Sequence, residues 1–106
     1  MSDLQLEINS SSALAQEKTS AGANVSGVKL SFFPSDDDME SVFEMLKGGG
    51  KMTVVAGIDS REQGQALAGD LKLAGFVDVL MAKDSTGARV AVATKPTWAR
   101  GEAAEL

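Results

Sequence analysis

Stretches with the hydrophobic pattern of β-strands alternate with stretches of helical pattern along this 106-residue chain. Their succession predicts the element order β-α-β-α-β-α-β-β, in which parallel strands are followed by an antiparallel pair. Such alternation is typical of α/β domains that are built on a mostly parallel sheet. A chain of this length has room for one hydrophobic core, so we predict a single small domain.

Five segments carry the apolar patterns of strands. Alternation of apolar and polar residues marks the first segment and the last two, and the last two flank a predicted turn at residues 84–87. A continuous apolar run marks the third segment and predicts a strand that is covered on both faces. The five segments are residues 4–8, 28–33, 51–57, 77–81 and 90–92.

The first predicted helix covers residues 10–16, with one of its first two serines as N-cap and with Leu14 and Ala15 directed inward. The residues that follow, 19–27, are small and polar and include two glycines. This composition predicts a flexible loop before the second strand.

The second predicted helix has the strongest local signal. Ser35 is its expected N-cap, aspartates at 36–38 fill its first turn and Lys47 lies in its last turn, which suits the helix dipole at both ends. Three glycines at 48–50 predict the helix end and a tight turn. A phosphate-binding loop would need a strand before the glycines and a helix after them, which is the reverse order. The apolar stripe of this helix is Met39, Val42, Phe43 and Leu46.

The third predicted helix begins after residues 59–60, one of which is expected to cap it, with Gln63 as the capping-box partner. Gly64 and Gly69 each lower its helix propensity by about 1 kcal/mol relative to alanine. We expect these two glycines to permit close packing on the sheet. Gly75 is the expected helix end. The apolar line of this helix is Leu67, Leu71 and Ala74.

Composition excludes several classes of function. The net charge of −5 argues against nucleic acid or an anionic membrane as the main partner and favours a basic protein surface. The chain has no cysteine and no histidine, which excludes disulfides, zinc fingers, thiolate-held clusters and Cys or His nucleophiles within it. Its apolar runs are far shorter than the roughly 20 residues of a membrane span. No signal peptide is recognisable, so we expect a cytoplasmic protein.

Two acidic residues are candidates for holding a nucleotide-like cofactor at the carboxyl ends of the strands. Glu7 ends the first strand, where an acid can bind ribose hydroxyls, but no glycine-rich turn follows, and a solvated carboxylate is the favoured interpretation. Asp59, within residues 57–60, could accept from a hydroxyl or cap the helix, and capping is favoured. With no glycine turn and no histidine base, we predict no catalytic residue.

Two further groups of residues invite a functional interpretation. The aspartates at 36–38 could suggest a metal site, but charge at a helix start explains them and no metal ligand is predicted. Trp98, the only tryptophan, lies close to Pro96 and Arg100. It either anchors the tail against the sheet, which is favoured, or contacts a partner, since tryptophan and arginine are enriched at binding hot spots. Trp98 and Arg100 are therefore the candidates for protein contact.

Residues 45–50 (MLKGGG), a following strand and residues 73–76 (LAGF) resemble the later half of S-adenosylmethionine-dependent methyltransferases. In that family a helix ending in L-x-P-G-G precedes a buried strand, and Gly48 stands where the proline is usual. Residues 92–101, which include KPTW at 95–98, are similar to the segment that closes the N-terminal domain of the anamorsin family of iron–sulfur assembly proteins. The motifs follow the anamorsin order over about residues 28–101. The family's Ser-Ser is Glu102-Ala103 here, and its first strand and helix are missing.

The resemblance implies a fold, a role and partners. The fold is a truncated methyltransferase-like α/β sandwich over residues 1–100, with about five mostly parallel strands and an antiparallel C-terminal hairpin, and residues 101–106 would begin a linker. The role is that of a non-catalytic interaction domain in cytosolic iron–sulfur cluster assembly and electron transfer. A diflavin reductase or another assembly factor is the implied partner. Iron–sulfur clusters are expected on cysteine motifs outside this chain. A mitochondrial intermembrane-space pool and a link to apoptosis regulation are also implied.

Two alternatives belong to other classes of function. A true S-adenosylmethionine-dependent methyltransferase would use Glu7 and Asp59 to hold the cofactor. A dimerisation module would pair through a strand edge that the missing first strand uncovers.

Overall fold

The computed structural model describes residues 5–21 and 25–97. The order of its elements is the predicted one. In chain order they are β1 (Gln5–Ile8), α1 (Ser11–Ala21), β2 (Val25–Leu30), α2 (Asp36–Met45), β3 (Leu46–Val54), α3 (Arg61–Leu73), β4 (Val77–Lys83) and β5 (Arg89–Thr94).

The strands form one five-stranded sheet in the order β1-β2-β3-β5-β4. β1 and β2 are parallel, as are β2 and β3, whereas β5 is antiparallel to both of its neighbours. The last strand in sequence is therefore inserted between β3 and β4, and β4 runs in the direction of the first three strands. The predicted fold class, a mostly parallel α/β sheet that ends in an antiparallel hairpin, is confirmed.

All three helices lie on one face of this sheet. The chain advances across the sheet in one direction, from β1 through β2 and β3 to β4. Right-handed crossovers that all advance the same way place their helices on the same side. Burial agrees with this placement, because strand residues facing the helices, such as Leu30 and Val54, are buried and their alternate neighbours are more exposed. We call the other side the open face, and it carries Gln5, Glu7, Lys29, Lys51, Thr53, Leu80 and Val92.

The prediction that the third strand is covered on both faces is wrong. Met52 and Val54 of β3 are buried beneath the helices, but Lys51 is exposed and Thr53 is only half-buried. The continuous apolar run suggested two covering layers, whereas the one-way order of strands supplies only one.

The helices contribute most of their predicted stripes to one core of the described residues, but Leu46 begins β3 instead and Ala74, partly buried, follows the end of α3. Met39, Val42 and Phe43 of α2 are buried, as are Leu67 and Leu71 of α3. In α1, Leu14 is buried as predicted, but Ala15 is exposed and Ala13 packs against the core instead.

The predicted loop over residues 19–27 is shorter than expected. The helix α1 continues to Ala21, and Thr19 donates a hydrogen bond from its hydroxyl to the Ala15 carbonyl (3.1 Å). Strand β2 begins at Val25, so Gly27 lies within the sheet beneath the side chain of Gln5. Residues 22–24 lie outside the described part of the chain. Pairing of β2 with both of its neighbours overrides the low strand propensity of these small residues.

The three glycines at 48–50 lie within β3 rather than in a turn that ends a helix. The helix α2 already ends at Met45, so Lys47 belongs to the strand and not to the last helical turn. Val25 of β2 pairs with Leu46 of β3, and the next pair is Gly27 with Lys51. Between these two pairs β2 has one residue, whereas β3 has four. The glycines therefore form a bulge, which is held to β5 because the Gly49 N–H donates to the Lys95 carbonyl (2.8 Å) and the Lys95 N–H donates to the Gly50 carbonyl (2.8 Å).

The two glycines of α3 have different surroundings. A Cβ at Gly64 would lie 2.9 Å from Met81 Cε, so this glycine does permit close packing of β4. A Cβ at Gly69 would meet nothing within 4 Å, so the same expectation is wrong for Gly69.

Replacing Gly69 with alanine is therefore expected to stabilise the protein by about 0.5–1 kcal/mol, because it restores helix propensity without a clash. Urea unfolding followed by circular dichroism measures the change. Gly64→Ala is the matched comparison, since it makes the same chemical change but displaces Met81, and we expect it to gain less. A loss of stability in Gly69→Ala would contradict the assignment of this position to an open helix surface.

Candidate functional site

The carboxyl ends of β1, β2 and β3 meet at the edge of the sheet where open α/β sheets usually bind ligands. All three helices begin at this edge, and each begins with a serine whose hydroxyl accepts a backbone N–H. At each helix start, one backbone N–H that could otherwise bind a phosphate therefore already donates to a serine hydroxyl of this chain. The bonds are Ala13 N–H to Ser10 (3.1 Å), Asp38 N–H to Ser35 (3.2 Å) and Gln63 N–H to Ser60 (3.1 Å).

Asp38 is a buried carboxylate at this edge. Its Oδ2 accepts from the Ser35 backbone N–H (3.0 Å), which completes a capping box, and from the Ser11 hydroxyl (2.8 Å). The second bond joins the start of α1 to the start of α2. Asp36 and Asp37 are exposed, so the acidic run serves the helix start, and among the described residues no group of three or more His, Cys, Asp or Glu could hold a metal ion.

Replacing Asp38 with alanine is expected to cost about 1–3 kcal/mol of unfolding free energy, because the Ser11 hydroxyl and the Ser35 N–H both lose their acceptor in a partly buried place. Asp37→Ala is the control, since it removes a charge from the same helical turn at an exposed position and should change stability by less than about 0.5 kcal/mol. Chemical unfolding of both variants makes the comparison. Equal effects would show that only the charge matters, not the link between the two helices.

The loops after β2 and β3 pack against each other at this edge. Gly57 has φ +88°, and a Cβ there would lie 2.7 Å from the backbone nitrogen of Phe33. The backbones of the two loops thus approach more closely than any side chain at residue 57 would permit. This contact fills the space between two neighbouring strand ends.

The structure does not bring Glu7 and Asp59 together. Glu7 is exposed on the open face, and its neighbour on β2 is Lys29. Asp59 is exposed in the loop before α3, at the end of β3, which is separated from β1 by β2. Strands two apart in a sheet are about 10 Å from each other. The Asp59 carboxylate is also not the helix cap that was favoured. Ser60 is the cap, and the Asp59 backbone N–H donates to Gln63 Oε1 (2.6 Å).

The motifs that carry the family resemblance meet around one aromatic ring. Phe43 of α2 has Phe76 edge-on to it, with centroids 5.2 Å apart, and the Lys95 Nζ lies 4.8 Å from its centroid. The same ammonium donates to the Leu46 carbonyl just past the end of α2 (2.7 Å). Gly75 has φ +112°, and a Cβ there would come within 3.0 Å of the Phe43 ring. Residues of LAGF and KPTW therefore form a packing cluster, the Phe43 cluster, defined by Phe43, Phe76, Gly75 and Lys95.

Trp98 and Arg100, the candidates for protein contact, lie outside the described residues, as does the proposed start of a linker at 101–106. Their roles stay predictions. In the described part of the chain, no helix is long and apolar enough to cross a membrane.

Hollows open on the described surface at the open face, between α2 and α3, and between α3 and the β4–β5 hairpin. The first, of about 710 Å³, lies over the open face beside Lys29 and Lys51. The second, of about 430 Å³, is an acidic groove between α2 and α3 with Glu40 and Asp70 at its rim. The third, also about 430 Å³, lies between α3 and the β4–β5 hairpin, and its lining includes three cationic side chains. None of the three is lined by Glu7 or Asp59.

The three cations of the third hollow, Arg61, Lys83 and Arg89, were not among the candidates from the sequence. They are spread over 29 positions and form no motif. The predicted hairpin could have indicated that Lys83 and Arg89 are neighbours, because both flank its turn. No local pattern brings Arg61 to them.

Comparison with solved structures finds methyltransferases. The chain is similar to the S-adenosylmethionine-dependent methyltransferase SibL in its apo form (TM-score 0.64, 10% identity, covering 89% of this chain and 50% of that one). It is also similar to PigF with SAH (TM-score 0.62, 11% identity, 88% and 50%). A third similar structure is a SAM-dependent O-methyltransferase from Thermotoga maritima (TM-score 0.61, 17% identity, 74% and 36%).

These similarities show a methyltransferase-like fold, and at such low identity they show the fold alone. The chain spans between 36% and 50% of the length of these three structures. No protein-family model matches the chain. No curated protein matches it either.

The residues described here do not fit S-adenosylmethionine, the cofactor that this fold implies. The loop after β1 consists of Asn9 and Ser10, with no glycine to let the cofactor approach the backbone, and Ser10 caps α1. Glu7, the acid of that strand, lies on the open face. The space between the ends of β2 and β3 is filled by the contact of Gly57 with Phe33.

Proposed function

We propose that this chain is a protein-interaction domain with a methyltransferase-like fold that does not itself transfer methyl groups. The observation that carries the proposal is the order of strands. In doubly wound sheets the ligand crevice forms where the strand order reverses and helices change face. The described strands advance in one direction only, from β1 to β4, and their strand-end loops pack on each other.

We further propose that the domain belongs to an anamorsin-like electron-transfer protein in cytosolic iron–sulfur cluster assembly. The Phe43 cluster supports this idea, since the residues that resemble anamorsin have packing roles that would keep them together in such a domain. Because this chain contains no cysteine, the clusters would be held by cysteine motifs elsewhere in the protein. A diflavin reductase is the proposed partner.

Methyl transfer is the second candidate, and the similarity to solved methyltransferases favours it. Glu7 and Asp59 would then hold the cofactor, most readily if a further segment completed the sheet. A dimerisation module is the third candidate, since β1 and β4 are edge strands among those described. Sedimentation at several protein concentrations tests it, and a strictly monomeric chain removes it.

Two binding measurements separate the first two candidates. We expect that S-adenosylmethionine gives no saturable change in amide chemical shifts up to millimolar concentration, because the chain lacks the glycine turn. We also expect that an immobilised diflavin reductase retains the chain. Saturable shifts near Glu7 and residues 57–60 with micromolar ligand would overturn this expectation and favour the methyltransferase candidate. No retention of either the chain or a longer parent protein would contradict the reductase as partner.

A further inference from the structure

The third hollow lies between the first turns of α3 and the β4–β5 hairpin, and we call it the basic hollow. Its volume is about 430 Å³, and it borders the edge of the described sheet, where β4 is the last strand. Its lining residues are Arg61, Gly64, Gln65, Met81, Ala82, Lys83 and Arg89.

The three cations of the basic hollow have no anionic partner among the described residues. None of the three lies within 4 Å of a described carboxylate oxygen, whereas Lys18 and Glu44 do form such an ion pair (2.7 Å). Lys83 and Arg89 are also direct neighbours across the β4–β5 pair. Like charges directly opposite each other in an antiparallel pair are destabilising, unless an anion lies between them. The arrangement is notable in a protein whose net charge is −5.

The acid nearest in sequence, Asp84, forms no ion pair with these cations. Its Oδ1 accepts from the Thr86 N–H (2.8 Å), the Thr86 hydroxyl (2.6 Å) and the Ala88 N–H (3.0 Å). The hydrogen bond from the Thr86 hydroxyl is the largest of the causes that lower the pKa of this carboxyl. The Asp84 carboxylate is thus charged and hydrogen-bonded within its own turn.

The floor of the basic hollow is apolar and adaptable. The Met81 side chain lies over Gly64 of α3, and a Cβ at Gly64 would be 2.9 Å from Met81 Cε. The methionine therefore fits there because Gly64 has no side chain. Methionine is common at surfaces that adapt to different partners, because its side chain is flexible and polarisable. Leu80 and Met81, on opposite faces of β4, are 64% and 40% exposed. Together they give the edge strand an apolar surface on both sides.

We propose that the basic hollow and the adjoining edge of β4 bind an extended acidic segment of a partner protein that carries an apolar side chain. Carboxylates of the segment would contact Arg61, Lys83 and Arg89, and its apolar side chain would cover Met81. An extended segment can also pair with the outer backbone of β4, which is an edge among the described strands. The proposal rests on the proposed function as an interaction domain and names its surface and the chemistry of its partner.

A second copy of this chain is a poorer occupant. In a symmetric dimer the same surface patch of both copies forms the interface. A dimer interface centred on the basic hollow would therefore bring together three cations from each copy, six in all. Charge complementarity therefore favours an acidic segment of a different protein.

The test uses the whole chain, labelled with ¹⁵N, and a synthetic peptide of alternating glutamate and leucine as probe. We expect saturable shifts centred on Arg61, Gly64, Arg89 and residues 81–83, and weaker binding as salt is raised. The double variant Lys83→Glu/Arg89→Glu should weaken binding at least tenfold. The control is Lys29→Glu/Lys51→Glu, which makes the same charge change on the open face and should leave affinity unchanged within about twofold. Unfolding midpoints of both variants verify that they are folded.

Several results would overturn the proposal. Shifts confined to the open face, equal binding of a peptide in which lysine replaces glutamate, or no loss of affinity in Lys83→Glu/Arg89→Glu would each do so. Sodium phosphate that gives the same shifts at the same concentration would indicate a small-anion site instead of a peptide site.

Retention by the diflavin reductase separates this inference from the proposed function. If the reductase retains the wild-type chain and the Lys83→Glu/Arg89→Glu variant equally, the surface is wrong but the proposed function stands. If the acidic peptide binds as expected but the reductase retains neither the wild-type chain nor the variant, the proposed binding surface stands and the proposed partner is wrong.

Discussion

Replacing Phe43 with alanine is expected to lower the free energy of unfolding by about 3–5 kcal/mol, the range for large aromatic residues in cores. Phe43 is 6% exposed, contacts Phe76 edge-on and lies beneath the Lys95 ammonium. The substitution removes an aromatic pair and a cation–π contact and leaves a cavity where α2 meets the end of β5. Urea unfolding followed by tryptophan fluorescence and circular dichroism gives the value.

Phe33→Ala is the matched control, because it deletes the same side chain at a position that is 38% exposed. We expect it to cost about 1 kcal/mol or less. Phe43→Leu should fall between the two, since it keeps part of the volume and loses the ring. If Phe43→Ala and Phe33→Ala were equally stable, the Phe43 cluster would not be central to this fold.

Replacing Gly57 with alanine is expected to cost about 2–5 kcal/mol, as the sum of two effects. An alanine at φ +88° is strained by about 1–2 kcal/mol. Its Cβ would also lie 2.7 Å from the backbone nitrogen of Phe33, so one loop must move, and such overpacking costs about 1–3 kcal/mol. Thermal unfolding measures the loss, at about 4–8 °C per kcal/mol for a domain of this size.

Gly87→Ala separates these two effects. Gly87 has nearly the same φ, +86°, but a Cβ there would meet nothing within 4 Å. We therefore expect this variant to lose only the strain term. Equal losses in Gly57→Ala and Gly87→Ala would mean that the contact between the loops contributes nothing.

Local patterns predict the elements of this fold well and their layering poorly. The stripe that includes Met39, Val42 and Phe43 predicts α2, because helical spacing is a property of a few neighbouring residues. The glycines at 48–50 mislead, because their bulge depends on hydrogen bonds with Lys95, 45 positions after Gly50. The one-sided cover of β3 depends on the order of all five strands, and no short segment contains that information.

At the candidate sites, too, features that depend on a few neighbouring residues could be predicted from the sequence, whereas contacts between distant residues could not. The serine caps at 35 and 60 follow from local spacing and were predicted, although Asp59 remained an alternative at the second. The link from Ser11 to Asp38 spans 27 positions, and its two residues form no recognisable motif. Arg61 comes near Lys83 and Arg89 only because α3 packs on the hairpin, which is a consequence of tertiary structure.

The single helical layer implies that mutation acts unequally on neighbouring strand positions. Solvent reaches the side chains of Glu7, Lys29 and Thr53, whereas the residue that follows each of them, Ile8, Leu30 and Val54, is enclosed. Substitutions at the solvated positions leave the interior untouched, while those at the enclosed positions alter its volume. Over generations this chain can thus vary at every second residue of its inner strands, and so acquire new surface chemistry while its interior stays nearly invariant.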